Sequence, residues 1–353
     1  MQQAQSPHFL LVKLSSLGDV LHNLPIVWDI RQHYPNATVD WVVEEAYVDL
    51  LKPLQSSNSF KGIDRIIPIG LRRWKRNILS VRHWQELRQF IHVLQQDQYD
   101  VIIDSQGLMK SAVVAKLTHR TQAGKITGLA NATEFSGYEP LARMFYSDSV
   151  TVPRKCHAVD RSRYLLSSAL DIALITRSSI PKFYPESFVK DLTNQDLSPE
   201  IAKHLKTPYV LCFHASARAA KRWDIQGWIA VGKFLLERGL HPVFPWGSPH
   251  EKQISQQIVE GIGGGDCGAM VPPAYSITQY FEITSHARLT IGVDTGLTHL
   301  AAVLGRPTIE IYCDSPIWKT EGYWSNQVIN LGDIGQPPSI ESVLSGIERL
   351  ISS

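Results

Sequence analysis

The chain has little cysteine, no long apolar run and no excess of charge of either sign, and each shortage removes a class of protein. Four cysteines in 353 residues, Cys156, Cys212, Cys267 and Cys313, stand far apart and form no CxxC or CxxH pattern. That argues against a zinc site or a disulfide framework and fits a reducing cytosol. No window approaches the roughly 20 apolar residues that cross a bilayer. The opening MQQAQSPHFLLVKL carries no basic n-region and reads as a strand, so no signal peptide is expected. With 35 basic and 33 acidic side chains the formal net charge is only +2, which argues against a general nucleic-acid binder and makes any basic site local. There is no low-complexity tract and no short repeat. The missing GxGxxG fingerprint weakens a dinucleotide oxidoreductase.

What is present is an alternation of strand and helix patterns. The length exceeds the roughly 250 to 300 residues at which one core stops growing, so two domains are expected. HFLLVKL, a helix over about 20–33, TVDWVVEE, a helix over 81–95, YDVIIDSQG and a helix from 108 form a parallel α/β layer. A polar, proline-bearing stretch then interrupts it. The pattern resumes with YVLCFHAS, PVFPWG, helices over 224–238, 250–261 and 277–285, LTIGVDTG, LTHLAAVLG and TIEIYC. This predicts an α/β fold of two tandem units, 1–175 and 200–335, with a linker region at 176–199. The segment 336–353 has apolar residues at Ile340, Val343, Leu344, Ile347 and Leu350. It reads as an amphipathic terminal helix able to pack back on the first unit.

In open parallel sheets, ligands bind beyond the carboxyl ends of the strands, which directs attention to the strand-to-helix turns. KLSSLGDVLHNLP, 13–25, puts one carboxylate, Asp19, in such a turn, ahead of a helix expected to start near Val20. An aspartate there serves as a helix N-cap or as a catalytic base, and the turn alone does not choose between them. Ser15 and Ser16 add donors and Pro25 fixes the chain beyond. VDTGLTHLAA offers the amides of Thr295, Gly296 and Leu297 at a helix N-terminus, a phosphate-binding arrangement, with His299 able to face the same place. HASARAAKRW offers the Ser216 hydroxyl and the Lys221 ammonium to a diphosphate. PWGSPHE places Glu251 near a helix start, where a carboxylate can bind a ribose diol or simply favour the macrodipole. LRRWKRN, 71–77, gathers four basic side chains around Trp74, suited to a carboxylate- and phosphate-bearing acceptor at an anionic surface or to plain solvation. DSQGLMKS brings Gln106 and Lys110 toward the cleft of the first unit. GIGGGDCG, 261–268, reads as a turn.

Taken in order, KLSSLGDVLHNLP, DWVVEE, RRWKR, DSQGLMKSA, EPLARMFY, HAVDR, HASARAAKRW, PWGSPHE and VDTGLTHLAA resemble the ADP-heptose:lipopolysaccharide heptosyltransferase family over nearly the whole chain. RRWKR and DSQGLMKS favour the branch that adds the first heptose. The resemblance implies a GT-B fold, two facing Rossmann-like domains with the acceptor on the N-terminal side and the sugar nucleotide on the C-terminal side. It implies inverting transfer of L-glycero-D-manno-heptose from ADP-heptose to Kdo of the lipid A inner core. No cofactor and no obligatory metal are implied, in agreement with the absence of a DxD motif. The location implied is cytoplasmic, peripheral at the cytoplasmic face of the inner membrane.

Carried onto this chain, Asp19 resembles the general base. Lys221, Ser216 and the amides of Thr295, Gly296 and Leu297 match donor-phosphate positions, and Asp294 and His299 match groups that orient heptose and phosphate. Glu251 resembles the ribose carboxylate and Tyr275 occupies a position near adenine. On the acceptor side stand Lys13, Ser16, Arg72, Arg73, Arg76, Gln106 and Lys110. Four positions depart from the family pattern: Ala217 lacks a hydroxyl, Ala219 and Ala220 replace acidic residues, and Tyr138 precedes EPLA where an arginine is common. The rivals are transfer at a later core position, a nucleotide-sugar epimerase on the same architecture, and a non-catalytic binder of anionic glycolipid.

Overall fold

Alternating apolar strands and amphipathic helices can bury both faces of a parallel sheet only if helices cover each side, and the chain does this twice. A computed structural model describes residues 6–76, 80–264 and 267–352. Asn77 of the basic stretch, and Gly265 and Asp266 of the glycine-rich turn, lie outside them. The chain divides into two units, Met1–Pro185 and Glu186–Ser353. Among the described residues no helix is long and apolar enough to cross a membrane.

The first unit holds six parallel strands: β1 (His8–Val12), β2 (Thr38–Glu44), β3 (Arg65–Ile69), β4 (Gln98–Asp104), β5 (His119–Leu129) and β6 (Asp148–Val150). Their order is β3-β2-β1-β4-β5-β6, with Phe9 in register with Val39 on one side and Val101 on the other. Leu10, Val12, Val42, Ile102 and Ile126 form a core with Phe90 and Leu94 of the helix Val81–Leu94. The strand order reverses between β1 and β4. The crevice beyond their carboxyl ends therefore receives the turns at 13–19 and 105–110.

The first helix corrects the sequence reading. It runs Leu17–Asn23 rather than from near Val20, because Ser16, in extended backbone at φ −87 and ψ −172, takes the N-cap position. Pro25, with no N–H to continue the ladder, opens a second helix, Pro25–His33.

The second unit has five parallel strands: β7 (Tyr209–Phe213), β8 (His241–Val243), β9 (Leu289–Val293), β10 (Thr308–Tyr312) and β11 (Val328–Gly332), in the order β11-β10-β9-β7-β8. Here the reversal falls between β7 and β9. Much of the expected linker is structured: the helix Glu186–Asn194 belongs to this unit, with Phe188 edge-on to Phe281 at 5.4 Å between ring centroids. The terminal helix Ile340–Ile351 buries Val343, Ile347 and Leu350 in a core with Trp228, Ile309 and Ile311. Its apolar face is thus buried within the second unit.

Gly292 on β9 admits the start of the next helix against the sheet. A Cβ there would meet Thr298 Oγ1 at 2.1 Å and Phe213 Cβ at 2.9 Å, and Thr298 Oγ1 donates to Val293 O at 2.8 Å. Gly292→Ala is expected to destabilise the protein by about 1–3 kcal/mol, seen as a lower urea midpoint; an unchanged midpoint would show that the helix moves aside without strain.

Candidate functional site

At the β1/β4 reversal, backbone chemistry and charge converge on one carboxylate. With Ser16 as N-cap, Asp19 sits at the third helical position and reaches back: its Oδ2 accepts from Ser16 N at 3.0 Å and Ser16 Oγ at 2.7 Å. This is half of a capping box, so the structural role competing with catalysis is a reach-back rather than the N-cap itself. Lys13 Nζ, only 2% exposed, lies 4.0 Å from Asp19 Oδ1, whereas the Asp19 side chain is 40% exposed. Burial pushes the Asp19 carboxyl up, but the charges of Lys13 and Arg161 and the two Ser16 bonds outweigh it and hold the group well below the usual carboxylate range.

The β4 side fastens this turn. Gln106 Oε1 accepts from the amides of Leu14 and Ser15, both at 3.2 Å. Lys13 Nζ donates to Ser105 O at 3.2 Å and Lys110 Nζ to Ser15 Oγ at 3.2 Å. Burial draws the Lys110 ammonium below its usual value, against the pull of Glu44. Beneath them, fully buried Asp104 accepts from the amides of Gln106 and Gly107, from Ser111 Oγ and from Tyr146 OH. Tyr138 donates to Ala130 O at 2.8 Å, so this departure from the family pattern ties down the neighbouring loop.

The basic stretch divides by partner. The guanidinium of Arg73 is committed to Glu45, with two bonds at 3.0 Å, and to Glu86, which also takes Trp74 Nε1 at 2.9 Å. Arg72 and Arg76 are exposed. The Arg72 amide donates to Glu44 Oε1 at 2.8 Å while its guanidinium lies over the Tyr47 ring at 5.1 Å. Leu71, Trp74, Lys75, His83, Trp84 and Leu87 line an apolar hollow of about 210 Å³ beside them.

At the β7/β9 reversal of the second unit, Asp294 follows β9 directly and Thr295 is the N-cap of the helix Gly296–Val303, so the expected amides stand at a helix start. Lys221 closes a short 3-10 turn after β7 and donates to Asp294 Oδ2 at 2.5 Å, with 17% of its side chain exposed. The same carboxylate accepts from Ser315 Oγ at 2.5 Å, from Thr320 Oγ1 at 3.3 Å and, at Oδ1, from His299 Nε2 at 2.9 Å. Burial opposes its charge, but these donors hold the Asp294 carboxyl far below the ordinary range. Asp294 is thus an anchor for two cations rather than a group facing open space.

Ser216 is buried, its carbonyl accepting from Arg222 Nε at 3.2 Å. Glu251 is at the third position of the helix Pro249–Ile262 and its Oε2 accepts from Gly247 N at 2.7 Å, the first-turn acid's usual arrangement. The Tyr275 ring leans on Tyr280 at 5.9 Å, and its hydroxyl is buried.

Several contributors escaped the sequence reading. Arg161 lies inside HAVDR, which carried no assigned role, and its charge reaches Asp19 only through the folding of a distant helix. Arg218, exposed and paired with Asp314 at 3.0 Å, and the hydroxyls of Ser315 and Thr320 had no sequence signal. Glu310 did have one: a carboxylate inside the otherwise apolar strand TIEIY.

The family described as glycosyltransferase family 9 (heptosyltransferase) matches residues 87–345. Lipopolysaccharide heptosyltransferase 1 of Escherichia coli strain K12 is 32% identical over 328 residues, spanning 91% of this chain and 92% of its own. The solved structure of E. coli heptosyltransferase WaaC with ADP superposes with a TM-score of 0.76 at 28% identity, covering 97% of this chain and 99% of that one. WaaC with ADP-2-deoxy-2-fluoro heptose gives 0.72 at 28%, covering 98% and 99%.

Proposed function

The chain belongs to glycosyltransferase family 9, the heptosyltransferases, and from that premise we propose that it transfers L-glycero-D-manno-heptose from ADP-heptose to Kdo of the lipid A inner core, with inversion and with Asp19 as the base. It is a glycosyltransferase of GT-B fold, and heptose transfer in lipopolysaccharide core biosynthesis is the activity of its named relatives. The observation that carries the mechanism is the Asp19 carboxylate, at the β1/β4 reversal, kept ionised by Lys13 and Arg161.

In this reading Asp19 takes the proton from the Kdo hydroxyl as the oxygen attacks the anomeric carbon from the face opposite ADP. The bond to the diphosphate breaks and ADP leaves with the electron pair. Lys221 and the amides of Gly296 and Leu297 stabilise the departing charge, so no metal is required. Glu251 and Tyr275 serve the nucleoside. Arg72, Arg76, Lys110 and Gln106 receive the acidic acceptor, and the apolar hollow beside Trp84 suits a lipid-linked molecule at a cytoplasmic membrane surface. Arg73 supports this patch through Glu45 and Glu86.

The low Asp19 pKa has a consequence for pH. A depressed carboxylate stays ionised until the pH falls through its own low value, so kcat/KM is expected to lack an acid limb from Asp19 between about pH 5 and 8. A limb with an apparent pKa near 6 would assign the base elsewhere. The direct test is a mass-spectrometric assay with ADP-heptose and Kdo-lipid A: heptosylated product supports the reading, whereas turnover of the nucleotide sugar without acceptor supports an epimerase.

A further inference from the structure

The hydrogen-bond pattern around His299 leaves one proton to be placed. His299 Nε2 lies 2.9 Å from Asp294 Oδ1 and His299 Nδ1 lies 2.8 Å from Glu310 Oε1. A neutral imidazole has a single N–H and cannot donate to both. Either the ring is doubly protonated or one carboxyl carries the extra proton. Asp294 is already surrounded by Lys221, Ser315 and Thr320. The second oxygen of Glu310, a residue with 0% exposure, accepts from Tyr312 OH at 2.9 Å and Gly322 N at 3.1 Å. Both carboxylates are solvated by donors as anions, so the proton belongs on the ring.

We propose that Glu310 keeps His299 an imidazolium through the neutral range, and that this second cation allows Asp294 to release Lys221 to the donor diphosphate. The proposal rests on the donor reading above. Its logic is that of buried ion pairs, in which removing one partner leaves an uncompensated charge at high cost. If Lys221 were the sole cation on Asp294, turning it toward a phosphate would strand a buried carboxylate. With His299 charged, Asp294 keeps a partner throughout.

The groups facing His299 are Asp294 from its own turn, Glu310 and Tyr312 from β10, and, across Asp294, Lys221, Ser315 and Thr320. Burial disfavours charge on the ring, but Glu310 first and then Asp294 more than restore it, giving a pKa of about 9. Glu310 touches no reacting atom in this scheme; it is a positioning residue acting through His299.

Glu310→Gln separates charge from shape. A neutral ring can still donate from Nε2 to Asp294 while the new amide donates to Nδ1, so the hydrogen-bond geometry survives without the ionic pair. The experiment follows the His299 imidazole by NMR in ligand-free protein and measures ADP affinity calorimetrically across pH. In the wild type, His299 is expected to stay protonated through pH 8 and ADP affinity to remain flat between about pH 6 and 8. In Glu310→Gln the ring should titrate about two units lower, with ADP bound about tenfold more weakly at pH 8 and nearly normally at pH 6.

A wild-type His299 that is neutral at pH 7 overturns the proposal, and this result needs no variant. A Glu310→Gln profile of ADP affinity identical to wild type overturns the link to Lys221. Failure of ADP to bind the wild type at any pH would remove the donor reading and the release step with it, while the titration of the free protein would still judge the charge on His299.

Discussion

Asp19→Asn is expected to lower turnover by about 100-fold to 10,000-fold, the usual worth of a general base, with the ADP dissociation constant within about twofold of wild type. The carboxamide is nearly isosteric and its oxygen can still accept from Ser16 N and Ser16 Oγ, so the turn keeps its shape. What disappears is the negative charge facing Lys13 and Arg161, and with it the only anionic oxygen of that turn. Steady-state rates with ADP-heptose and Kdo-lipid A, together with calorimetric ADP binding, separate the two effects. Turnover near the wild-type rate would leave Asp19 as a helix reach-back and nothing more. Thermal stability would not make this distinction, because losing the charge that faces Lys13 and Arg161 lowers it whether or not Asp19 is the base.

Lys221→Ala should raise the donor KM and lower kcat together, by about 100-fold to 1,000-fold in kcat/KM, the range for removing one donor from a preorganised anion site. The ammonium is held at 2.5 Å from Asp294, so part of its bonding energy is already used. The net gain on binding a diphosphate is the difference between two ion pairs. A lowered urea midpoint with unchanged KM values would instead indicate a folding defect, since Asp294 would lose one of its two cations. Unchanged KM and kcat would place Lys221 outside the site.

Much of the fold was legible because parallel strands buried on both faces are written as predominantly apolar runs, and β1, β2, β4, β7, β9 and β10 are such runs even where Asp40, Asp100 and Glu310 interrupt them. The strands that escaped have a physical excuse. β3, RIIPI, contains a proline; β5, HRTQAGKITGL, begins polar and exposed; β6 has three residues; β11, VINLG, is only half-buried along its length. Candidate site residues were legible where strand-end logic applies, as at Asp19, Lys221 and Asp294. That logic looks only at turns. It therefore passed over Glu310 in mid-strand and Arg161 on a helix far along the chain, and it grouped Arg73 with Arg72 because neighbours in a basic run cannot be told apart until their partners are seen. The start of the first helix was misplaced for a related reason: Ser16 and Asp19 both suit a helix beginning, and the extended backbone at Ser16 decides which is the cap.

The division at Pro185 has a meaning beyond architecture. The chain crosses from one unit to the other a single time, and the terminal helix completes the half in which it is encoded. Each half is therefore one uninterrupted stretch of gene. A recombination event at a single breakpoint can exchange the half that carries Lys221, Asp294, His299 and Glu310 for another without severing any element of either core. Under the function proposed above, leaving-group recognition and the base with its basic patch are then inherited separately, so donor preference and acceptor preference are free to evolve at different rates in one polypeptide.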